Sequence, residues 1–80
     1  MLIRTQNKEG LIDALAVYII MIERYPTKTA KIVGCIAGQN EITGKYFLLG
    51  EYPNKELATE EIDNIMQFFI ENPSGIYQMK

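Results

Sequence analysis

Nine consecutive apolar residues, Ala14-Leu15-Ala16-Val17-Tyr18-Ile19-Ile20-Met21-Ile22, constrain this chain more than anything else in it. Each large apolar side chain that becomes fully buried contributes roughly 1.5–3 kcal/mol, so the rest of the molecule must be arranged to cover this run. The run is less than half of the ~20 residues that a membrane span requires, and Asp13, Glu23 and Arg24 bound it closely, so no membrane helix is expected.

Two conformations compete for the run. With helical spacing, Leu11, Ile12, Leu15, Tyr18, Ile19 and Ile22 share one face. As a strand, Leu15, Val17, Ile19 and Met21 face one side and Ala16, Tyr18, Ile20 and Ile22 the other, with both sides apolar. Periodicity alone does not separate them. The β-branched residues between Val17 and Ile22, with Tyr18 among them, favour the strand, because branched side chains lose rotamer freedom in a helix.

The flanking segments read more simply. Leu2 to Gln6 alternate as Leu2, Arg4 and Gln6 against Ile3 and Thr5, a half-buried strand pattern. Asn7-Lys8-Glu9-Gly10 then supplies Asn and Gly for a hairpin turn into Leu11 and Ile12. Glu23 to Thr29, with Pro26 in its middle, reads as a loop. Ala30 to Ala37 resumes a strand, and Gly38 to Gly44 carries the signals of a second hairpin turn. Tyr46 to Leu49 is the next strand, with Gly50 at a position suited to a bulge.

Asn54 is placed to cap a helix from about Lys55 to Glu71, with Glu56 in its first turn. Asn72-Pro73-Ser74-Gly75 ends it, because Pro73 biases Asn72 away from helical geometry. Ile76 to Met79 can then return to the sheet. Around this helix Leu57, Phe68, Ile65, Ala58, Phe69, Ile62, Met66 and Ile70 fill an apolar arc near twice the ~100° that packing on one sheet face needs. A second contact surface on the helix is the expectation. The whole is a single α+β domain over residues 1–80, an antiparallel sheet of four to five strands with one helix packed on a face, in the order β-β-β-β-α-β.

Eighty residues place the core near the lower limit for a domain that stands alone, since a chain of this length buries only about 60–65% of its unfolded surface. A charged fraction of 22% and a net charge of −2 argue against both disorder and nucleic-acid binding. Arg24, Lys28 and Lys31 form the nearest thing to a basic patch, and three charges neutralise too few phosphates for more than weak, salt-sensitive binding. No signal-peptide pattern is visible, and the lone Cys35 reads as a buried thiol; both fit a reducing cytoplasm.

With no histidine and one cysteine, a His/Cys metal site and Ser-His or Cys-His nucleophile pairs within one chain are excluded, and neither metal nor cofactor is expected. Glu56, Glu60 and Asp63 lie at spacings of three and four on the helix and read as a solvated face. Gly34-Cys35-Ile36-Ala37-Gly38 lacks the features that cradle phosphates and reads as strand.

Three separated pieces carry a resemblance: Arg4-Thr5-Gln6-Asn7-Lys8, then Leu49-Gly50-Glu51-Tyr52 feeding Lys55-Glu56-Leu57-Ala58, and the closing Ile76-Tyr77-Gln78-Met79. Together they resemble a family of short uncharacterised proteins of Firmicute genomes, prophages and other mobile elements, with a Leu-Gly-Glu-Tyr strand exit followed by an acidic helix. The resemblance implies a strand for the central run and contributes no activity and no catalytic residues.

An apolar surplus without a catalytic set leads to the expectation of a non-enzymatic, protein-binding homo-oligomer, with a host protein as a further partner if the mobile-element setting holds. Tyr18, Ile20, Ile22 and Phe68 are its expected interface residues. The alternative is a small-ligand or nucleotide-binding oligomer with sites between subunits, using Arg4, Gln6 and Tyr77.

Overall fold

A computed structural model describes residues 1–24, 27–36 and 46–80. Its elements are β1 (Leu2–Arg4), β2 (Leu11–Arg24), β3 (Thr27–Ile36), β4 (Phe47–Tyr52), α1 (Lys55–Glu71) and β5 (Ile76–Gln78). They form an α+β domain in which one helix packs on a five-stranded sheet of order β4-β3-β2-β1-β5. The central run is strand throughout.

The sheet is mixed, where the sequence pointed to an antiparallel one. β1–β2, β2–β3 and β3–β4 are antiparallel, but β5 lies parallel to β1, with Ile3 level with Tyr77. Between β4 at one end of the strand order and β5 at the other, α1 carries the chain across one face of the sheet.

The loop expected over residues 23–29 is a second departure. Glu23 pairs with Lys28 and Arg24 with Thr27, so the ladder runs on to both sides of positions 25 and 26, which lie outside the described residues. The Lys28 ammonium stands 3.7 Å from the Glu23 carboxylate across that pair. The turn expected at Gly38–Gly44 also lies outside the described residues.

A bulge decides which side of β2 meets the helix. Ala14 pairs with Ile36 and Ala16 with Cys35, leaving Leu15 as the extra residue. Ile12 and Ala14 before it, and Val17 and Ile19 after it, therefore pack with the helix-side core, while Leu15 is exposed. The expectation that Leu15 shares a face with Val17 fails here, because one inserted residue inverts the alternation. A second irregularity falls between Ile32 and Val33, opposite Leu48 and Gly50, where the sequence suggested a bulge.

The core lies between the sheet and α1 and centres on Ile3, Ala30, Ile32, Leu49, Ala58 and Ile65, all buried. Gly34 belongs to the same layer: a Cβ there would stand 3.2 Å from Leu49 Cδ1 and 3.3 Å from Ala14 Cβ. The helix begins as expected, with the Asn54 side chain accepting the Leu57 N–H at 2.8 Å. It ends at Asn72, whose backbone N–H and side-chain Nδ2 both donate to the Phe68 carbonyl.

The first turn uses an unexpected residue. Lys8, with φ 67°, takes the left-handed conformation that the Asn and Gly on either side were expected to supply. The Asn7 side chain instead accepts from the Thr5 hydroxyl (2.7 Å) and the Glu9 N–H (3.0 Å), an Asx-type turn.

Candidate functional site

Two regions carry the chemistry. The first is a polar seam where the sheet curls round and β4 meets the ends of β1 and β5. Residues 5–7 leave β1 in the direction of β4, and the Gln6 N–H donates to the Leu49 carbonyl at 2.8 Å. The Gln6 side chain then copies a strand neighbour. Its Oε1 accepts the Glu51 N–H at 2.9 Å, and its Nε2 donates to the Glu51 carbonyl at 3.3 Å and to Lys80 O at 3.0 Å. A carboxamide holds one donor and one acceptor group in the same plane as a peptide, which lets it stand in for a rung of the ladder.

Beneath Gln6 lies Glu61, a helix carboxylate only 3% exposed. It accepts the Lys80 N–H at 2.7 Å, the Tyr77 hydroxyl at 2.9 Å and the Asn64 side-chain amide at 3.1 Å. Burial of a carboxylate is tolerated when its oxygens are satisfied, and here α1 is fastened to β5 and the chain beyond it. The Tyr52 hydroxyl donates to Lys80 O at 2.8 Å. Burial pushes both Tyr52 and Tyr77 above the usual phenol range, and the neighbouring Glu61 charge and hydrogen bonding add to it.

The second region is apolar. An open groove of about 370 Å³ runs between β2 and α1, lined by Met1, Val17, Ile62, Met66, Phe69 and Ile70, with Ile65 at its floor. Met66 and Ile70 are 58% and 68% exposed. The wide apolar arc of the helix therefore does exceed what the sheet covers. Alongside this groove, β2 outruns its neighbour: β1 pairs only Leu11–Asp13, and the last bond on that side runs from the Ala14 N–H to the Met1 carbonyl at 2.8 Å. Among the described residues no strand lies along that edge of β2 from Leu15 to Arg24.

The residues singled out from sequence are distributed between these regions. Tyr18, Ile20 and Ile22 stand together on the sheet face away from α1, paired across to Val33, Lys31 and Thr29, and all three are half-buried. The Tyr18 hydroxyl is 3.5 Å from the buried Cys35 thiol. Phe68 is on the other layer. It packs edge-on against Phe69 (5.0 Å between centroids) and Tyr77 (5.3 Å) and belongs with the core.

Arg4, Gln6 and Tyr77 are near in the fold but do not converge on one space. Tyr77 is buried and points at Glu61, Arg4 is exposed on the opposite face with its Nε donating to the Lys8 carbonyl, and Gln6 is held in the seam. Glu56, Glu60 and Asp63 are exposed along the helix.

Glu61 was missed in the sequence, and a signal was there. At ~100° per residue from Leu57 it falls near 40°, inside the apolar arc between Phe68 and Ile65. A carboxylate at such a position requires buried donors. The open edge of β2 also had a signal, in the mismatch between a strand of 14 residues and a neighbour of 3.

Comparison with protein-family models, curated proteins and solved structures finds no match to this chain.

Proposed function

We propose that the protein is a non-enzymatic interaction module that associates with itself and through its assembled form binds other proteins. The observation that carries this reading is the apolar groove beside β2, where Met66 and Ile70 of the helix remain mostly exposed in the single subunit. A contiguous apolar surface of this kind marks an association site more often than a solvent face. A net charge of −2 opposes self-association only weakly.

The buried carboxylate of Glu61 fits a structural role, since hydrogen-bond donors already occupy it. The resemblance to Firmicute and prophage proteins fits a bacterial, mobile-element setting with a host protein as partner. The buried free thiol of Cys35 fits a reducing cytoplasm. No helix among the described residues is long and apolar enough to cross a membrane.

Light scattering coupled to size exclusion tests the self-association. The reading requires a species heavier than the 9.1 kDa chain at high protein concentration, and a monomer throughout would overturn it. A thermal-shift screen with nucleotides and metabolites separates it from the ligand-binding alternative built on Arg4, Gln6 and Tyr77. A ligand at a hundredfold its Kd adds about 2.7 kcal/mol and would raise Tm visibly.

A further inference from the structure

We infer that two copies of this chain pair through the open edges of β2, antiparallel, with Ile19 of each copy facing Ile19 of the other across a two-fold axis. This rests on the self-association proposed above and says which surface performs it.

Backbone direction selects the residues. Along an antiparallel strand the side chains on one face belong to residues whose N–H and C=O point to the same edge. On β2 the Ala14 N–H points to β1, and Ala14 faces the helix. The bulge at Leu15 moves that role onto Val17, Ile19 and Met21, so these three residues direct their N–H and C=O to the edge with no described strand beside it.

Between Ala16 and Ile22 this edge carries neither proline nor a charged side chain, two of the devices that prevent strand addition. A strand laid there continues the line of β1, since Met1 and Val17 both line the groove. Backbone bonds and an apolar pocket side by side are the two components of strand addition.

A second copy of β2 suits the place better than an unrelated strand, because the segment is complementary to itself. Directly opposed residues of an antiparallel pair share a face, so the sum of their numbers must be even on an uninterrupted stretch. With Ile19 on the axis, Val17 faces Met21 and Tyr18 faces Ile20 of the other copy, and Ala16 faces Ile22. Every pair is apolar.

Ile19 with itself and Val17 with Met21 are the hydrogen-bonded pairs, which use the N–H and C=O groups that meet no strand among the described residues. The Val17–Met21 pair brings the Met21 side chain, 36% exposed in one subunit, to the groove beside Val17. The shared ladder runs from Ala16 to Ile22 and stops short of Ala14, where Met1 and β1 already take up this edge. A pairing of this kind is isologous and closes at two subunits.

The test is isotope-filtered NMR on a sample mixing labelled and unlabelled protein, beside the mass in solution of the wild type and of Met21→Lys. The expected result is a dimer with intermolecular contacts from Val17 to Met21 and from Ile19 to Ile19. Met21→Lys should keep the circular dichroism of the fold while associating roughly a hundredfold more weakly, since an inward-pointing charge blocks strand addition. A wild-type dimer lacking those contacts, or a folded Met21→Lys that dimerises as the wild type does, overturns the pairing and leaves the self-association standing. A wild-type monomer at millimolar concentration overturns both.

Discussion

The sheet ends in opposite ways at its two margins. Where β4 meets the ends of β1 and β5, Gln6 imitates a missing rung and Glu61 gathers three donors, so backbone groups that a short chain would leave open are satisfied by side chains. Along β2 past Ala14 nothing in the described residues does this. The difference is one of length: β1 stops after three residues, and β2 continues for eleven beyond Asp13. A margin closed by side chains is a stability device, whereas a margin left open with apolar side chains on it is a surface for another chain.

Breaking the closed margin at its centre should have the largest effect. Glu61→Ala leaves the Tyr77 hydroxyl and the Lys80 N–H without their acceptor, and we expect a loss of about 3 kcal/mol in urea unfolding. A loss under about 1 kcal/mol would mean that the carboxylate is incidental to the fold.

Alkaline titration probes the same margin without a mutation. Tyr52 and Tyr77 hold their protons more tightly folded than unfolded, so their contribution is intact below the ordinary phenol range and is lost as pH rises past about 10. Stability followed by urea midpoint should fall above that pH, and Tyr77→Phe should fall less steeply. A flat profile would separate the phenols from the seam.

Gln6→Ala is milder, because its bonds lie at the exposed outer layer. About 1 kcal/mol is expected, read from the same unfolding curves. Smallest of all is the effect of Met21→Lys on the single subunit. At a concentration where the wild type is also monomeric, the two should differ by less than about 0.5 kcal/mol, which would place the residue's importance in association rather than in folding.

The local features of this fold were legible in the sequence and the distant ones were not. Asn54 and Asn72 bracket the helix because capping is a matter of adjacent residues, and the bulge signal at Gly50 is of the same kind. The direction of β5 is invisible locally, since Ile76–Gln78 has the same pattern whichever way it runs. The pairing of Glu23 with Lys28 and of Arg24 with Thr27 was hidden because a proline in a segment forbids ladder bonds only at its own position, and a polar stretch around it reads as loop.

At the candidate sites, the apolar excess of the helix could be read from its arc, and Met66 and Ile70 carry it. Phe68 lies in the same arc and was turned inward by Tyr77, a contact between residues on different elements that no spacing rule contains. The seam was beyond reach for the same reason: Gln6, Glu51 and Lys80 meet only after the sheet has curled.

Amide hydrogen exchange on dilute, monomeric protein puts the contrast between the two margins to its most direct test. The account predicts slow exchange for the Glu51 and Lys80 amides, which bond to Gln6 and Glu61, and exchange near the solvent-exposed rate for Val17, Ile19 and Met21. Equal protection of both sets in the monomer would contradict it, because the edge of β2 would then be closed within a single chain.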